Sequence, residues 1–461
     1  MNLLLILIII AAFEVRVVNL NYNSPFLDEA TYIFQGLLIL KGSINEVINN
    51  ISWIGGFPLF YPFLSSLFYK LGGIVGSRFL NVLLGSTAVF LIYHFTYALS
   101  FFKTHKENSL AALASAVFLA FLPIPISLSR IATYDMLSYT LLLSGLTLFI
   151  LGLRNRDSKF LIFASGITFL AFLAKYIATI ALIPLAIVTI YLFITKTRKE
   201  DGAIVLQNFW IPLITLSLLA LLKITPLWEY IIGQSQGENA TFTDVFGNFW
   251  RYTWIPVLLG TYHIGIGRLR NIRNLFLYII AFIPLLLHLF GRNSTSVGQH
   301  SFLSLIALSP LSGAVSVHIL SRVKSLRLPI MVISIVAIIA YSMSMRNYLE
   351  HFWPNTTAAL TYLAQNVTSG DRILAETDDV VTLTLSSKIP SSSINGPFYF
   401  AYGGSVGEKA YLAAISDGYF QYIELDGLIF SAQLLQAIEE GTTKTYNKVF
   451  DDGKVRIYSK K

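Results

Sequence analysis

The sequence contains no cysteine and few charged residues. With no cysteine among 461 residues, a disulfide framework, a thiol nucleophile and a cysteine-ligated metal site are all excluded. Charged residues make up 13% of the chain and hydrophobic residues 55%, whereas soluble proteins carry about 25% charged residues. A soluble globule of this size would lack polar surface. Helices that face lipid can be apolar on every side, so the composition predicts an integral membrane protein.

A nucleotide-binding motif is also missing. The formal net charge of +8 comes from short basic clusters that separate apolar runs. Such clusters are typical of membrane topology and disfavour nucleic-acid binding as their explanation.

Eleven predominantly apolar runs approach the ~20 residues needed to cross the hydrocarbon core of a bilayer. The first run lacks the basic start of a secretory signal peptide. We predict that it is a retained span, with Glu14 and Arg16 near its far end, where long side chains can reach the interface. Lys175 divides the apolar stretch 159–195 in two, because a lysine costs less at a turn than at the bilayer centre. The predicted spans lie near residues 1–20, 77–101, 108–127, 134–153, 159–175, 178–195, 205–222, 253–267, 274–290, 301–320 and 328–345.

The charges between the runs predict the orientation. Five short loops carry clusters of Lys and Arg, whereas each opposite connection is long or holds a single basic residue. By the positive-inside rule, the N-terminus and those five loops are cytoplasmic. All five Asn-x-Ser/Thr sequons then fall on the extracellular or lumenal side, where glycan acceptors must lie. The sequons begin at Asn50, Asn239, Asn293, Asn355 and Asn366.

Beyond about residue 346 the charge rises, and short β-rich runs alternate with helical ones. We predict a polytopic α-helical transmembrane domain over residues 1–345 and a small extracytoplasmic α/β domain over residues 346–461. The helices of the smaller domain are predicted near 354–367, 406–416 and 431–440, and its strands near 372–376, 419–425 and 454–458. A lid, an acceptor-docking module and plain structural support remain open as its role.

The first external loop, from Asn21 to about Gly76, holds the most informative motif. It opens with the adjacent acids Asp28 and Glu29, just after the first span, and continues with apolar helices interrupted by Gly and Pro. Those helices are too interrupted to span and too apolar for a free loop, so we predict that they are interfacial. The two acids would then lie at the external bilayer boundary, where a lipid-linked substrate presents its head group. The alternative is that they only begin a helix, where acids favour the macrodipole.

Further ionisable residues gather at the same predicted membrane face. The second external turn supplies Arg130 and Asp135, the third supplies Lys175, and the fifth ends in His300 at the mouth of a span. Arg130 and Lys175 have an equally good explanation as residues that mark helix ends by reaching the interface. His300 is explained more simply as a polar cap at a span entrance.

These segments, in this order, resemble the GT-C superfamily of membrane glycosyltransferases. The similarity is greatest to the branch that includes protein O-mannosyltransferases and the aminoarabinose transferases that modify lipid A. It rests on Asp-Glu-Ala-x-Tyr at residues 28–32 with a glycine about ten residues on, a proline-rich entry to the second span, and the sequence from Ser77 to Asn81. The Ser-Arg-x-Ala-x-x-Asp turn at 129–135 and the Leu-Ala-Lys ending at Lys175 also match. The resemblance covers about residues 1–345, and the C-terminal domain more loosely.

The resemblance implies transfer of a sugar from a polyprenyl (dolichyl-type) phosphate to an acceptor hydroxyl, with inversion at the anomeric carbon. By position, Asp28 would be the general base, and Glu29 would orient substrate or assist. Tyr32, in the same motif, would bind substrate. An attacking hydroxyl needs a base within hydrogen-bond reach.

The departing phosphate needs positive charge where its negative charge develops. Arg130 and Lys175 are the candidates for this role, and His300 is a possible third group. Asp135 would orient Arg130 or bind sugar hydroxyls. The expected partners are the lipid-linked donor, a glycan, lipid or protein acceptor, and the bilayer.

The sequence departs from relatives of this kind in two ways. It has no Trp-Trp-Asp-Tyr-Gly motif and no Asp-x-Asp pair of the type that holds a metal in oligosaccharyltransferases. This argues against en bloc glycan transfer and leaves a divalent metal possible but not indicated, so no cofactor is predicted. No segment is long enough for the β-trefoil insertion of protein O-mannosyltransferases, which disfavours a protein acceptor.

Two other functions remain open. A transporter or flippase would place ionisable residues near span midplanes or use broken inverted repeats, whereas here the charges gather at the external mouth. A catalytically dead scaffold would keep the fold, although the intact Asp28–Glu29 pair argues against it.

Overall fold

The computed structural model describes residues 3–48, 55–195, 198–223, 239–265, 271–398 and 400–461. The predicted sequon at Asn50 lies outside these residues. The chain forms two compact units. The first comprises Met1–Leu20, Gly42–Tyr61 and Arg78–Arg346, and the second comprises Asn21–Lys41, Pro62–Ser77 and Asn347–Lys461. The second unit thus contains two segments of the first loop in addition to the C-terminal residues.

Up to residue 350, the regular secondary structure of the described residues is helical. Short 3₁₀ segments precede α9 and α16, and a π-helical turn joins α10 to α11. The helices are α1 (Leu3–Val17), α2 (Leu27–Leu40), α3 (Ile44–Ile48), α4 (Tyr61–Leu99), α5 (His105–Phe121), α6 (Pro123–Leu128), α7 (Asp135–Asn155), α8 (Ser158–Ala174), α9 (Leu182–Ile194), α10 (Lys199–Val205), α11 (Ile211–Lys223), α12 (Phe242–Gly265), α13 (Ile272–Ile280), α14 (Ile283–Gly291), α15 (Val297–Arg322) and α16 (Arg327–Glu350).

Over the described residues, each of the eleven predicted spans overlaps at least one helix. Among the described residues, seven helical segments are long and apolar enough to cross a membrane: Tyr61–Leu99, Asp135–Asn155, Tyr176–Ile194, Lys199–Leu222, Ile272–Gly291, Val297–Arg322 and Arg327–Glu350. Many of their large apolar side chains are exposed, as lipid-facing surfaces require. The mostly helical membrane fold is therefore confirmed, and the full count of eleven spans stays a prediction.

The predicted break at Lys175 is confirmed. The helix α8 ends at Ala174, and Lys175 is extended, with φ −152° and ψ 123°. A 3₁₀ turn over Tyr176–Ala181 follows, and α9 then begins.

The helix α12 begins earlier than the predicted span 253–267. It starts at Phe242, after a reciprocal cap in which Asp244 Oδ2 accepts from the backbone N–H of Thr241 at 3.0 Å. The hydroxyl of Thr241 accepts in turn from the backbone N–H of Asp244 at 3.2 Å. This capping arrangement determines where the helix begins, and the hydropathy pattern does not reveal it.

Small residues allow α5 and α15 to approach closely in the first unit. A Cβ built on Gly313 would lie 2.3 Å from the carbonyl oxygen of Ala111. The hydroxyl of Ser115 donates to the carbonyl of Ser309 at 3.0 Å. Helices in membranes associate through such small-residue contacts, because lipid removes the hydrophobic drive between them.

The second unit contains a mixed sheet of five strands. The order is β2-β1-β5-β7-β6, in which β2, β1 and β5 are parallel and β7 is antiparallel to both β5 and β6. A separate two-stranded hairpin joins β3 and β4. The remaining elements of the chain are α17 (Thr357–Asn366), β1 (Ile373–Ala375), α18 (Asp378–Leu385), β2 (Ile394–Asn395), β3 (Ala401–Tyr402), β4 (Ser405–Val406), α19 (Glu408–Ser416), β5 (Tyr422–Leu425), α20 (Ala432–Thr445), β6 (Tyr446–Asp451) and β7 (Arg456–Lys460).

The predicted small α/β domain is confirmed at its C-terminal sheet. Each predicted helix and strand of this part corresponds to one of the observed elements, whereas α18, β2, β3, β4 and β6 were not predicted. The core on one side of the sheet includes Ile33 of α2 together with Leu363 of α17 and Val381 of α18. The helix that carries Asp28 and Glu29 is thus packed into the second unit.

Glu376 fixes the loop that follows β5. Its side chain is fully buried, and its two carboxylate oxygens accept from the backbone N–H groups of Asp426, Gly427, Ile429 and Phe430 at 2.6–3.0 Å. A buried carboxylate needs several donors to offset its lost hydration, and these four bonds supply them. The bonds tie the end of β1 to the end of β5.

Three other carboxyls lie near the same ends of the parallel strands. Burial raises the pKa of Asp378 to about 6, and that of Asp426 to about 6. Burial and the neighbouring Asp378 raise the pKa of Asp379 to about 7, although a hydrogen bond with Thr31 of α2 acts in the opposite direction. A carboxyl with a raised pKa binds its proton more tightly in the folded protein than in the unfolded chain. Its contribution to stability is therefore complete below pH ~4 and is lost as the pH rises through the folded pKa.

The variant Asp379→Asn is therefore expected to be more stable than the wild type at pH 8 and about equal to it at pH 4. Asparagine removes the cost of ionising the buried carboxyl but can still accept a hydrogen bond from Thr31. The expected gain at pH 8 is about 2 kcal/mol, allowing for the part of the side chain that meets solvent. The measurement is thermal unfolding of the intact protein in detergent at both pH values, with the exposed Glu408→Gln as control. A gain that is the same at both pH values would contradict the assignment.

Candidate functional site

Asp28 and Glu29 lie in the first turn of α2. Phe26 is extended immediately before the helix, with φ −72° and ψ 156°, and its backbone N–H donates to Oε2 of Glu29 at 2.9 Å. Glu29 is fully buried, whereas Asp28 keeps part of its surface exposed. Glu29 therefore caps the helix, and the macrodipole favours the negative charge of both acids. Of the two, Asp28 has the accessibility that a group meeting a substrate requires.

Side-chain hydrogen bonds within the second unit hold the chain in front of α2. Nδ2 of Asn23 donates to the carbonyl oxygens of Glu350 and Trp353, both at 3.1 Å. The indole N–H of Trp353 donates to the carbonyl of Ser24 at 3.2 Å, and the hydroxyl of Ser24 accepts from the backbone N–H of Thr356 at 3.0 Å. These bonds fix where α2 begins, so Asp28 is presented on a rigid element, as a preorganised site needs.

Tyr32 lies one helical turn after Asp28, so both residues are on the same side of α2. Its side chain is buried. Further along the helix, Gly36 is required by a close approach, because a Cβ there would lie 2.0 Å from the carbonyl oxygen of Pro62. The motif at residues 28–32 is therefore carried by a helix with little freedom to move within its unit.

Lys175 and Asp135 form a buried ion pair in the first unit. Nζ of Lys175 lies 2.5 Å from Oδ1 of Asp135, and the two side chains are 6% and 1% exposed. Lys175 also donates to Oε1 of Gln299 at 3.1 Å, and Oδ2 of Asp135 accepts from the hydroxyl of Thr133 at 2.8 Å. Each charge compensates the other in a site with little water. The sequence placed the two residues at one membrane face but did not pair them.

The backbone around Lys175 is held by a short stretch of the first loop. The N–H of Phe57 donates to the carbonyl of Leu173 at 2.7 Å, and the N–H of Tyr176 donates to the carbonyl of Gly55 at 2.8 Å. Between them, a Cβ on Gly56 would lie 2.1 Å from the carbonyl oxygen of Ala174. Gly56 is therefore needed for this approach, and the pair of hydrogen bonds fixes the extended backbone of Lys175.

Asn81 positions the turn that leads to Asp135. Its Nδ2 donates to the carbonyl oxygens of Ile131 and Thr133, at 2.5 and 2.8 Å, and its Oδ1 accepts from the hydroxyl of Tyr61 at 3.2 Å. Asn81 ends the sequence from Ser77 that contributed to the resemblance. Its part in that pattern is thus to hold a turn, by satisfying backbone carbonyls that would otherwise be buried without partners.

Arg130 is fully buried and contacts the end of α1. Its Nη1 donates to the carbonyls of Arg16 and Val18, at 2.5 and 2.7 Å, and its Nη2 donates to the carbonyl of Asn19 at 2.9 Å. These carbonyls belong to the last turn of α1 and the residues after it, where helical partners are lacking. The geometry gives Arg130 a structural role, and the predicted role at a phosphate stays a prediction.

Arg16 does not extend to the interface as predicted. Its guanidinium is fully buried and donates to the carbonyls of Ala12, Leu119 and Ala120 at 2.8–3.1 Å. Nε also donates to the hydroxyl of Ser129 at 3.1 Å. The prediction was wrong because the hydropathy pattern shows only where the helix ends. It does not show that carbonyl oxygens of residues distant in sequence accept hydrogen bonds from the guanidinium.

His300 lies in the first turn of α15 and contacts a second histidine. Its Nδ1 is 2.8 Å from Nε2 of His288 on α14, and Nδ1 of His288 is 2.9 Å from the carbonyl oxygen of Asn293. The preceding residue, Gln299, connects this pair to Lys175 by its side chain, and its carbonyl accepts from the hydroxyl of Tyr139 at 3.1 Å.

The four predicted residues of the first unit therefore form two groups. Lys175 and Asp135 share one hydrogen-bond network, which reaches the turn of His300 through Gln299, whereas Arg130 is engaged by the end of α1. The sequence analysis did not identify Gln299 or His288 as candidate site residues. The available signal for His288 is a histidine inside an otherwise apolar run, which is unusual in a span.

Over the described ranges, no group of three or more His, Asp, Glu or Cys side chains is placed to hold a metal ion. The expectation that no cofactor is required stays a prediction.

Comparison with known proteins adds a family match and a fold. Residues 57–229 match the sequence model of the family described as dolichyl-phosphate-mannose-protein mannosyltransferase. None of the curated proteins compared matches the chain.

Among solved structures, the fold is similar to that of ArnT from Cupriavidus metallidurans. The apo structure is 13% identical in sequence, with 98% of this chain and 97% of that chain covered and a TM-score of 0.64. The structure bound to undecaprenyl phosphate is 14% identical with the same coverage and a TM-score of 0.62. The archaeal oligosaccharyltransferase AglB from Archaeoglobus fulgidus, in complex with an inhibitory peptide and a dolichol-phosphate, is 13% identical. The structural match covers 99% of this chain and 74% of that chain, with a TM-score of 0.61.

The likeness in fold spans almost the whole chain, and the family match covers α7, α8 and the Lys175 segment. Both confirm the resemblance that the sequence motifs indicated. The protein is an integral membrane protein whose fold is similar to those of ArnT and of the oligosaccharyltransferase AglB, and its residues 57–229 match the dolichyl-phosphate-mannose-protein mannosyltransferase family.

Proposed function

We propose that this protein transfers a sugar from a polyprenyl (dolichyl-type) phosphate to an acceptor hydroxyl at the outer face of the membrane. The observation that carries the proposal is the likeness in fold, over 98% of this chain, to a protein whose solved structure is bound to undecaprenyl phosphate. The family match to a dolichyl-phosphate-mannose enzyme supports a lipid-linked donor as well. The sidedness rests on the basic loops and the sequons.

In the proposed reaction, the acceptor hydroxyl oxygen attacks the anomeric carbon while the bond from that carbon to the phosphate oxygen breaks. Asp28 takes the proton of the hydroxyl, and the polyprenyl phosphate leaves with the bonding electrons. Attack opposite to the leaving group inverts the anomeric configuration. The partly exposed Asp28 on a fixed helix end suits a general base.

Lys175 supplies positive charge for the leaving phosphate. Its ammonium is held by Asp135 and Gln299 in a buried network, where an electrostatic contact is worth more than in water. We further propose that no tightly held divalent metal is needed, because the lysine can serve the role a cation would otherwise serve. Sugar transfer is then expected to persist in the presence of EDTA.

The test uses purified protein in liposomes with radiolabelled dolichyl-phosphate mannose and a membrane extract as the acceptor source. Transfer of label to an acceptor with release of dolichyl phosphate is the expected result, and GDP-mannose alone should not serve as donor. Movement of the labelled lipid across the bilayer without transfer would favour the flippase alternative. Loss of transfer on EDTA treatment, with recovery on adding a divalent cation, would contradict the metal-independent mechanism.

A further inference from the structure

The His288–His300 pair has a hydrogen-bond direction that the structure determines. A carbonyl oxygen can only accept, so Nδ1 of His288 carries a proton and donates to the carbonyl of Asn293. In a neutral imidazole the other nitrogen then accepts. Nε2 of His288 therefore accepts from Nδ1 of His300, at 2.8 Å. The remaining nitrogen of His300, Nε2, is left without a proton.

The reverse direction requires a charged imidazole. For His288 to donate through Nε2 as well, it would have to carry two protons and a positive charge. His288 is largely buried, and both imidazoles interact electrostatically with the ammonium of Lys175. A second buried positive charge beside that ammonium is unfavourable, because burial removes its hydration and because the two positive charges repel each other. The pair is therefore neutral, with one tautomer for each ring.

Nε2 of His300 is buried and has no hydrogen-bond partner among the described residues. A buried nitrogen lone pair without a donor is rare in proteins and marks a place where a ligand or water is expected. A phosphate oxygen does not suit it, because two acceptors repel each other. A hydroxyl suits it, because the hydroxyl hydrogen can point at the lone pair.

We propose that Nε2 of His300 accepts a hydrogen bond from a hydroxyl of the donor sugar, and that His288 is a positioning residue that keeps this nitrogen unprotonated. The inference rests on the proposed function, since it places the sugar of the lipid-linked donor beside Lys175. The two residues then have different roles: Lys175 contacts the phosphate of the donor, and His300 binds its sugar. Gln299 links the two through its contact with the lysine.

The tautomers are tested directly by ¹⁵N NMR of histidine-labelled protein in lipid, at neutral pH, with His300→Asn used to assign the signals. The expected spectrum shows His300 neutral, with the proton on Nδ1, and adding dolichyl-phosphate mannose shifts its Nε2 signal. A proton on Nε2, a doubly protonated ring, or no response to the donor lipid would overturn the proposal. This readout does not depend on sugar transfer.

Kinetics separate the two histidines. His300→Asn can still donate to His288 but loses the outer nitrogen, so KM for the donor is expected to rise about three- to tenfold with kcat nearly unchanged. His300→Gln places an amide oxygen near the Nε2 position and should recover part of the loss. His288→Gln keeps an acceptor for His300 Nδ1 and should resemble the wild type, whereas His288→Leu should raise KM as His300→Asn does.

The outcomes distinguish the inference from the proposed function. If the wild type transfers sugar but all four variants have its KM, the histidine inference fails and the glycosyltransferase proposal stands. If the wild type transfers no sugar and its NMR signals ignore the donor lipid, both fail. A fall in kcat with unchanged KM would contradict ground-state binding of the sugar by His300.

Discussion

Asp28→Asn is expected to lower the rate of sugar transfer by a hundredfold or more while leaving the protein folded. Asparagine keeps the size of the side chain but cannot take a proton from the acceptor hydroxyl, and general-base catalysis contributes typically 10²–10⁴-fold. The fold should tolerate the change, because Asp28 is partly exposed and the hydrogen bond that begins α2 is made by Glu29. The lost charge at the helix start costs about 0.3–1 kcal/mol. Transfer from labelled dolichyl-phosphate mannose is the measurement.

The matched control for Asp28→Asn is Glu46→Gln, which removes an exposed carboxylate from α3 in the same predicted loop. The control should keep wild-type transfer. Asp28→Glu should retain part of the activity, because a base remains but its position shifts. If Asp28→Asn transfers sugar as well as Glu46→Gln does, Asp28 only favours the start of α2 and the catalytic assignment must be abandoned.

The helical part of the fold was predictable because long apolar runs have few alternatives in a bilayer. The break at Lys175 was visible for the same reason, since an ionisable residue divides such a run at a recognisable point. The early start of α12 was not visible in hydropathy. It depends on the cap formed by Thr241 and Asp244. Because both residues are polar, a search for apolar runs does not detect this helix start.

In the C-terminal part, most of the elements that escaped prediction are short, and the exception is β6, a six-residue strand at the edge of the sheet whose residues are mostly exposed. The strand β2 has two residues, and α18 has eight. Elements of that length do not repeat a hydrophobic period often enough to be distinguished from a loop. Their structure comes from tertiary contacts, such as the parallel pairing of β2 with β1.

The chemistry of the site was predictable as residue types but not as partners. The sequence placed Lys175 and Asp135 at one membrane face, and folding joins them at 2.5 Å. It could not show that Arg130 is engaged by carbonyls near Val18, or that Gln299 reaches Lys175. Such pairs are separated by more than a hundred residues, and no local pattern records them.

Lys175→Met is expected to destabilise the protein by about 3–5 kcal/mol and to abolish transfer. Methionine removes the ammonium and leaves the carboxylate of Asp135 buried, with the hydroxyl of Thr133 as one remaining donor. The uncompensated charge, more than the lost contact, is the source of this cost. The measurement is thermal unfolding in detergent, together with the transfer assay. Asp135→Leu alone should destabilise similarly, because it leaves the lysine buried without its counter-charge.

The double variant Asp135→Leu with Lys175→Met separates structure from catalysis. Replacing both members of a buried ion pair by apolar side chains of similar volume is often neutral or stabilising, so thermal stability should recover most of the loss. Transfer should remain at least a hundredfold below wild type, because no cation is left to meet the departing phosphate. Recovery of transfer together with stability would show that the pair only holds α7 against the Lys175 segment. Stable folding without transfer would assign the positive charge to the reaction.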